Sequence, residues 1–532
     1  MAKAETSATG QVDAPKPIKR QAIVVVHGQG EQRPMGTIRD FVKVLWQFNP
    51  NVRPEAEKGH APAKDDPGRD IWIVPDDKGG LFELQRITTP LHKDRKTDFF
   101  ELYYADLLND TPLRNLWRWM RRLLWIDPTD VPGDLRGPWT VFWIFSLIAV
   151  ALFWITVLSV EQFVHTDWLA VAFEPRAHIA LAISAVALLV LLLPKFFHSF
   201  SLLGRVPLWV IVGIFAGSAL WIYAGYPVAW AMDLLLIEFY LARRFLLPYF
   251  GDAASYLSAQ TETVQSRQSV RNRGLLLLRA LHDDPAYDRV VVVAHSLGTV
   301  LAYDILHILW QEVGPTKDNP PVNADALKAV DAFVDARADE GWQPGDVDKY
   351  QALQWAAFNA LRQQKPGVAK AGASAPLSGW KVSDFVALGS PLASAQFLIA
   401  EGREDLERMK EQRVLPTAPP EPYSKQFRSI YKDKGRDVAH HAAVFSTVRW
   451  TNIYDPFNPL FFLFGDPISG PVSGKDRFGQ AIRDAKVKIR HAGVAPRFFT
   501  HNYYWTETSA DWTMPADHIK TLREAVGIDR LP

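Results

Sequence analysis

Apolar positions fall into two kinds of run along this chain. The first kind is short, rich in β-branched residues and stopped by glycine or a turn. Residues 21–28 (QAIVVVHG), 99–104, 288–294 (DRVVVVA), 381–388 and 444–454 are of this kind. A short, continuous apolar run marks a strand buried on both faces, as in a parallel sheet covered by helices. Residues 261–282 before the valine run and 297–310 after it have helical periodicity, so strands and helices alternate and an α/β fold is predicted. The first 20 residues are polar and lack the apolar core of a secretory signal, which predicts a disordered tail that stays where it is made. Residues 51–70 mix Pro, Gly and charge and are expected to form a loop, with Asp65, Asp66 and Asp70 solvated. A surface insertion with helical pieces is expected near 313–378.

The second kind of run is long. Residues 137–160, 177–194 and 206–232 contain no Asp, Glu, Lys or Arg, and about 20 apolar residues suffice to span the hydrocarbon. Buried core helices seldom run so far without a charge, so membrane helices are the expectation. Arg114, Arg118, Arg121 and Arg122 precede the first run, while Glu161, Asp167 and Glu174 follow it, which puts the N-terminal side in the cytoplasm. Residues 227–242 offer a further crossing that ends at Arg243 and Arg244. That segment carries Asp233 and Glu238, each costing about 2.5–3.5 kcal/mol at mid-bilayer. Four spans, or two with an interfacial segment, remain open.

Composition narrows the chemistry. A chain of 532 residues has room for two or three domains. Lys and Arg number 59 against 58 Asp and Glu, so no basic field draws the chain to nucleic acid. With no cysteine, disulfides, thiolate metal sites and a cysteine nucleophile are excluded. Neither HExxH nor a carboxylate cluster at ligand spacing calls for a metal, and no cofactor is expected.

The sharpest chemical signal is Ala294-His295-Ser296-Leu297-Gly298, set between the valine strand and a helix. A serine there sits on a tight turn that aims its hydroxyl out of the sheet, and the residues two before and two after must be small. Val26-His27-Gly28-Gln29-Gly30 directly follows the first strand. Its glycines let a backbone N–H, that of Gln29, approach a developing oxyanion, with the N–H of Leu297 as the second donor. The two segments must then be neighbours in one sheet, which requires an even number of membrane crossings between them.

This pair of motifs resembles the α/β-hydrolase superfamily, in particular lipase-like and esterase-like serine hydrolases, here of a bacterial membrane-associated type. The resemblance covers residues 21–104 and 273–532 and includes Leu388-Gly389-Ser390-Pro391. It implies an α/β-hydrolase domain in two parts, 21–113 and 248–532, interrupted by a transmembrane block at 114–247. It also implies an acid and then a histidine after the serine. Among His440, His441, His491, His501 and His518, the segment FFTHNYYW around His501 resembles the terminal histidine segment of such proteins. His440 and His441 lie in a polar stretch and are expected to be solvated. Asp466, in Gly465-Asp466-Pro467-Ile468, is the favoured acid; Asp455, directly after the run 444–454, is the alternative.

The expected activity is cleavage of a carboxylic ester by Ser296, His501 and Asp466. A lipid or long acyl ester suits the membrane block and the aromatic loop 457–464. A non-catalytic, hydrolase-like membrane scaffold is the competing expectation; a transporter would need polar residues through several spans. The oligomeric state is left open. Reporter fusions at the two ends test the arrangement: both ends should face the cytoplasm, and ends on opposite sides would defeat a single domain built from both parts of the chain.

Overall fold

The computed structural model describes residues 19–28, 34–52, 71–80, 84–108, 264–317, 319–321, 323–363, 379–422, 428–457, 464–489, 500–507 and 515–530, with residue 256 and scattered positions between 128 and 147. The chain divides into two compact units, Met1–Leu107 with Ala259–Pro532, and Leu108–Ser258. The runs expected to cross a membrane fall almost wholly outside the described residues. Among the described residues no helix is long and apolar enough to cross one.

In the first unit the chain runs through β1 (Lys19–Val26), α1 (Gly36–Val42), β2 (Trp72–Pro75), β3 (Gln85–Thr88) and β4 (Arg95–Leu102). It resumes with α2 (Val264–Asp283), β5 (Tyr287–His295), α3 (Leu297–Val313), α4 (Asp325–Glu340), α5 (Asp346–Arg362) and β6 (Val382–Leu388). It closes with α6 (Arg403–Glu411), β7 (Ile430–Asp433), β8 (Arg436–Ala439), β9 (Arg449–Tyr454), β10 (Arg483–Lys486) and α7 (Asp517–Val526).

Eight strands form one sheet in the order β10-β9-β6-β5-β1-β4-β3-β2, and β7 and β8 make a separate hairpin. The pairs from β10 to β4 are parallel; β3 and β2 run antiparallel at the end. In register, Val26 stands between Leu102 and Ala294, Ala294 faces Ala387, and Leu388 faces Ile453. The ends of five parallel strands therefore meet at one edge of the sheet, where open α/β sheets bind ligands.

The valines explain the burial on both faces. Ile23, Val25, Val291 and Val293 join α1 and α7 in one core, through Ile38, Phe41, Ile519 and Leu522. On the other face α2 and α3 close together at Gly274, which abuts Ile305 and Leu102. At the far ends of the strands, buried Arg289 donates to the carbonyls of Val526 at 2.8 Å and Gly527 at 2.7 Å, and to Asp384 at 2.8 Å. One guanidinium thus satisfies the open carbonyl end of α7 and ties the C-terminal helix to the sheet.

Several expected boundaries move, each for a local reason. β1 begins at Lys19, inside the stretch expected to be a tail. The run expected at 99–104 ends as a strand at Leu102, because the Tyr104 amide turns to donate to His27 Nε2 at 3.3 Å. The run 444–454 is a 3₁₀ turn (Val444–Ser446) and then β9. There Ser446 Oγ donates to Ala443 O at 2.6 Å and Thr447 Oγ1 to Val444 O at 3.2 Å, closing turns that compete with the ladder. His440, expected to be solvated, is buried between the Glu421 carbonyl, to which Nε2–H donates, and the Ala442 N–H, which donates to Nδ1.

Three buried histidines share this arrangement. His27 donates from Nδ1 to Gly28 O and accepts at Nε2 from Tyr104; His282 donates from Nδ1 to Leu278 O and accepts at Nε2 from Lys381 N. Protonating any of these rings would set a proton against an N–H already pointing at it. Burial pulls His27 and His282 down to about 4, and His440 to about 3. A lowered folded value means that the unfolded chain takes up protons first, so stability present above pH 6.5 is lost progressively as the pH falls through about 4. Thermal melts across that range should show a steep fall in Tm; a Tm constant down to about pH 4 would contradict neutral, locked rings.

Candidate active site

β5 ends at His295 and α3 starts at Leu297, leaving Ser296 alone to turn the chain. Its backbone sits at φ 53° and ψ −131°, a conformation rarely held by a residue with a side chain. The turn fits only because its neighbours are small. A Cβ at Gly298 would lie 2.3 Å from His27 O and 2.8 Å from Val26 O, so the start of α3 presses on the end of β1. The Ser296 N–H donates to Leu388 O at 2.9 Å and is engaged in the sheet. The next N–H, that of Leu297, opens a helix and has no acceptor within it.

Ser296 Oγ is 2.8 Å from His501 Nε2, and His501 Nδ1 is 2.9 Å from Asp466 Oδ2. All three side chains are buried. The carboxylate can only accept, so Nδ1 carries a proton and Nε2 is left to accept from the serine hydroxyl. Burial alone would raise the Asp466 carboxyl. The neighbouring His501, the Ile468 N–H at 3.0 Å and the Tyr504 hydroxyl at 2.8 Å outweigh it and hold the group below its ordinary value.

Asp455 serves another purpose. Its carboxylate accepts from Thr500 Oγ1 at 2.9 Å and from Ile489 N at 3.3 Å, while its carbonyl accepts from Asp466 N at 3.2 Å. It thereby joins the segment carrying Asp466 to the 3₁₀ turn Thr500–Asn502 that carries His501. Of the two aspartates weighed from the sequence, Asp466 is the one hydrogen-bonded to His501 through its side chain.

The first motif lies beside the serine. A Cβ at Gly28 would come within 2.6 Å of His295 Nδ1 and 3.0 Å of Ser296 Cβ, so only a glycine allows the β1 segment this near. His27 stacks on Tyr104 with ring centroids 4.2 Å apart, and Tyr104 OH donates to His27 O at 3.0 Å. Gln29 and Gly30 lie outside the described residues, as do the 51–70 loop apart from its first two residues and most of the aromatic loop.

Two residues of the site escape sequence reasoning. Tyr504 donates to Asp466, accepts from the Asp455 N–H and lies 3.1 Å from Ser469 Oγ, bridging both aspartate segments. His295, flagged only as part of the serine motif, donates from Nε2 to His501 O at 2.7 Å. Burial first, and then the neighbouring His501 ring, lower His295 to about 3, so it holds the His501 backbone as a neutral ring. The clustered aromatics after His501 were the available signal for Tyr504. The other histidines have different work: His518 bonds Thr506 O, His441 stacks on His307, and His491 is not among the described residues.

Among the described residues no group of three or more His, Asp or Glu is placed to hold a metal ion. Comparison with models of protein families, with curated proteins and with solved structures finds no match.

The pairing of His501 with Asp466 is testable without any substrate. A proton NMR signal of the His501 Nδ1–H should lie far downfield of the amides. It should vanish in Asp466→Asn and persist in Asp455→Asn; the reverse pattern would exchange the two aspartates.

Proposed function

We propose that this chain is a serine hydrolase of the α/β-hydrolase type, anchored in a membrane and cleaving a carboxylic ester. One observation carries the proposal: the unbroken line from Ser296 Oγ through both nitrogens of His501 to Asp466, at 2.8 and 2.9 Å. The serine stands on a strained turn after a central parallel strand, which supports the same reading.

His501 Nε2 takes the hydroxyl proton as Ser296 Oγ attacks the ester carbonyl carbon. The resulting oxyanion is met by the Leu297 N–H and, on the sequence reading, that of Gln29. Collapse breaks the bond to the alcohol oxygen, which leaves with the proton returned from His501. Water then repeats the sequence on the acyl-serine and releases the acid. Asp466 keeps the imidazole in the productive tautomer and stabilises its cation, with Tyr504 and the Ile468 N–H holding the carboxylate in place.

The charge-free runs 137–160, 177–194 and 206–232 favour a lipid or long acyl ester at the cytoplasmic face, a substrate delivered by the bilayer itself. A hydrolase-like scaffold would have no need of this hydrogen-bonded line.

A fluorophosphonate should label the wild-type chain and leave a folded Ser296→Ala variant unlabelled. His501→Ala should abolish ester turnover, and Asp466→Asn should lower it by about 10⁴-fold, with a smaller loss for Asp455→Asn. Undiminished labelling of folded Ser296→Ala would sink the assignment of Ser296 as nucleophile, and a wild-type chain that does not label would favour the scaffold.

A further inference from the structure

Leu388-Gly389-Ser390-Pro391 resembles a hydrolase segment in sequence but has no part in the mechanism above. It nevertheless touches the site at three successive residues. Leu388 O accepts from Ser296 N at 2.9 Å. Gly389 lies where a Cβ would be 3.0 Å from Asp466 Oδ2 and 3.2 Å from His501 Nδ1. Ser390, fully buried, has its Oγ 2.7 Å from the Oγ1 of buried Thr299.

Counting protons gives this contact a direction. Thr299 Oγ1 donates to Ser296 O at 2.7 Å, and Thr299 N donates to the same carbonyl at 2.9 Å. A carbonyl can only accept, so the single hydroxyl proton of Thr299 is committed there. The Ser390 hydroxyl must then donate to Thr299, and Ser390 Oγ in turn accepts from Leu392 N at 3.2 Å. The chain runs one way, from the Leu392 amide through two hydroxyls to the carbonyl of the serine on the turn.

We propose that Ser390 and Thr299 are positioning residues that hold the Ser296 backbone in its positive-φ conformation and so keep its hydroxyl within reach of His501. The inference rests on Ser296 being the nucleophile. A strained residue persists only where its surroundings over-determine it, and here its amide and its carbonyl are both fixed, the carbonyl by two donors. Hydrogen bonds in such a row polarise one another. Relaxation of the turn would move Oγ rather than the surrounding substrate surface, so the effect belongs in the chemical step.

The test uses the full chain and compares fluorophosphonate labelling rate, kcat, KM and Tm for Thr299→Val, Thr299→Ser and Ser390→Ala. Thr299→Val keeps the shape and loses the hydroxyl. It should slow labelling and lower kcat by about tenfold, the equivalent of one hydrogen bond, while KM changes by less than about twofold. Ser390→Ala should act in the same direction, and Thr299→Ser should recover most of the loss. If Thr299→Val fails to fold, Ser390→Ala and Thr299→Ser carry the same comparison. Labelling at the wild-type rate in Ser390→Ala or in folded Thr299→Val, whatever happens to Tm, would overturn the proposal. A wild-type chain that does not label at all would instead overturn the nucleophile assignment, and this inference with it.

Discussion

The pairing of β1 with β5 is the constraint on which the site depends. These two strands belong to parts of the sequence separated by the whole of the second unit, yet they run in register with Val26 beside Ala294. That register brings the carbonyls of Val26 and His27 onto Gly298 and brings Gly28 against the Ser296 turn. Slipping the pair by one residue would turn the alternating side chains of β1 to the wrong faces and part these contacts. The nearly unbroken valine content of both strands suits them to the middle of a sheet covered on each side.

Around that pair the two ends of the strands do opposite things with buried polarity. At one end Arg289 closes a saturated set of contacts with Asp384, Ser383, Gln21 and the end of α7. At the other, Asp466, Tyr504, His501 and Ser296 form a line with direction, its free function at the serine. Full satisfaction of a buried polar group stabilises position; a row of hydrogen bonds polarises its members and leaves the Ser296 hydroxyl facing a ring nitrogen able to accept from it. Fixed polar contacts thus serve both ends of the strands: at the far end they tie α7 to the sheet, and at the edge where chemistry is proposed they hold the row in place.

The parts legible in the sequence were those governed by local pattern. Valine runs gave the central strands, and the small residues Ala294 and Gly298 marked the serine turn, because both follow from nearest-neighbour sterics. Strand ends were less legible where a long-range partner intervened, as when His27 draws away the amide of Tyr104. The choice between Asp455 and Asp466 was not a local matter: both follow the same strand, and only the fold of 464–489 and 500–507 decides which carboxylate meets the imidazole. His440 looked solvated because its neighbours in sequence are polar, whereas its ring is matched by a carbonyl and an N–H supplied by the backbone. Tyr504 and Thr299 act through hydroxyls whose partners lie far away in sequence, which periodicity does not register.

The position of β5 in the chain also has a consequence for synthesis. β1 and β4 can pair as soon as Leu102 is made, but the other edge of β1 has no partner until Tyr287 and its successors emerge, about 185 residues later. At roughly 5–20 residues per second, that interval is on the order of ten to forty seconds. Throughout it, a β-branched edge with unpaired backbone groups stands open to other nascent chains. The interval during which that edge of β1 stands unpaired is thus set by the length of the intervening unit, and the register that brings Gly28 against the Ser296 turn can form only after it.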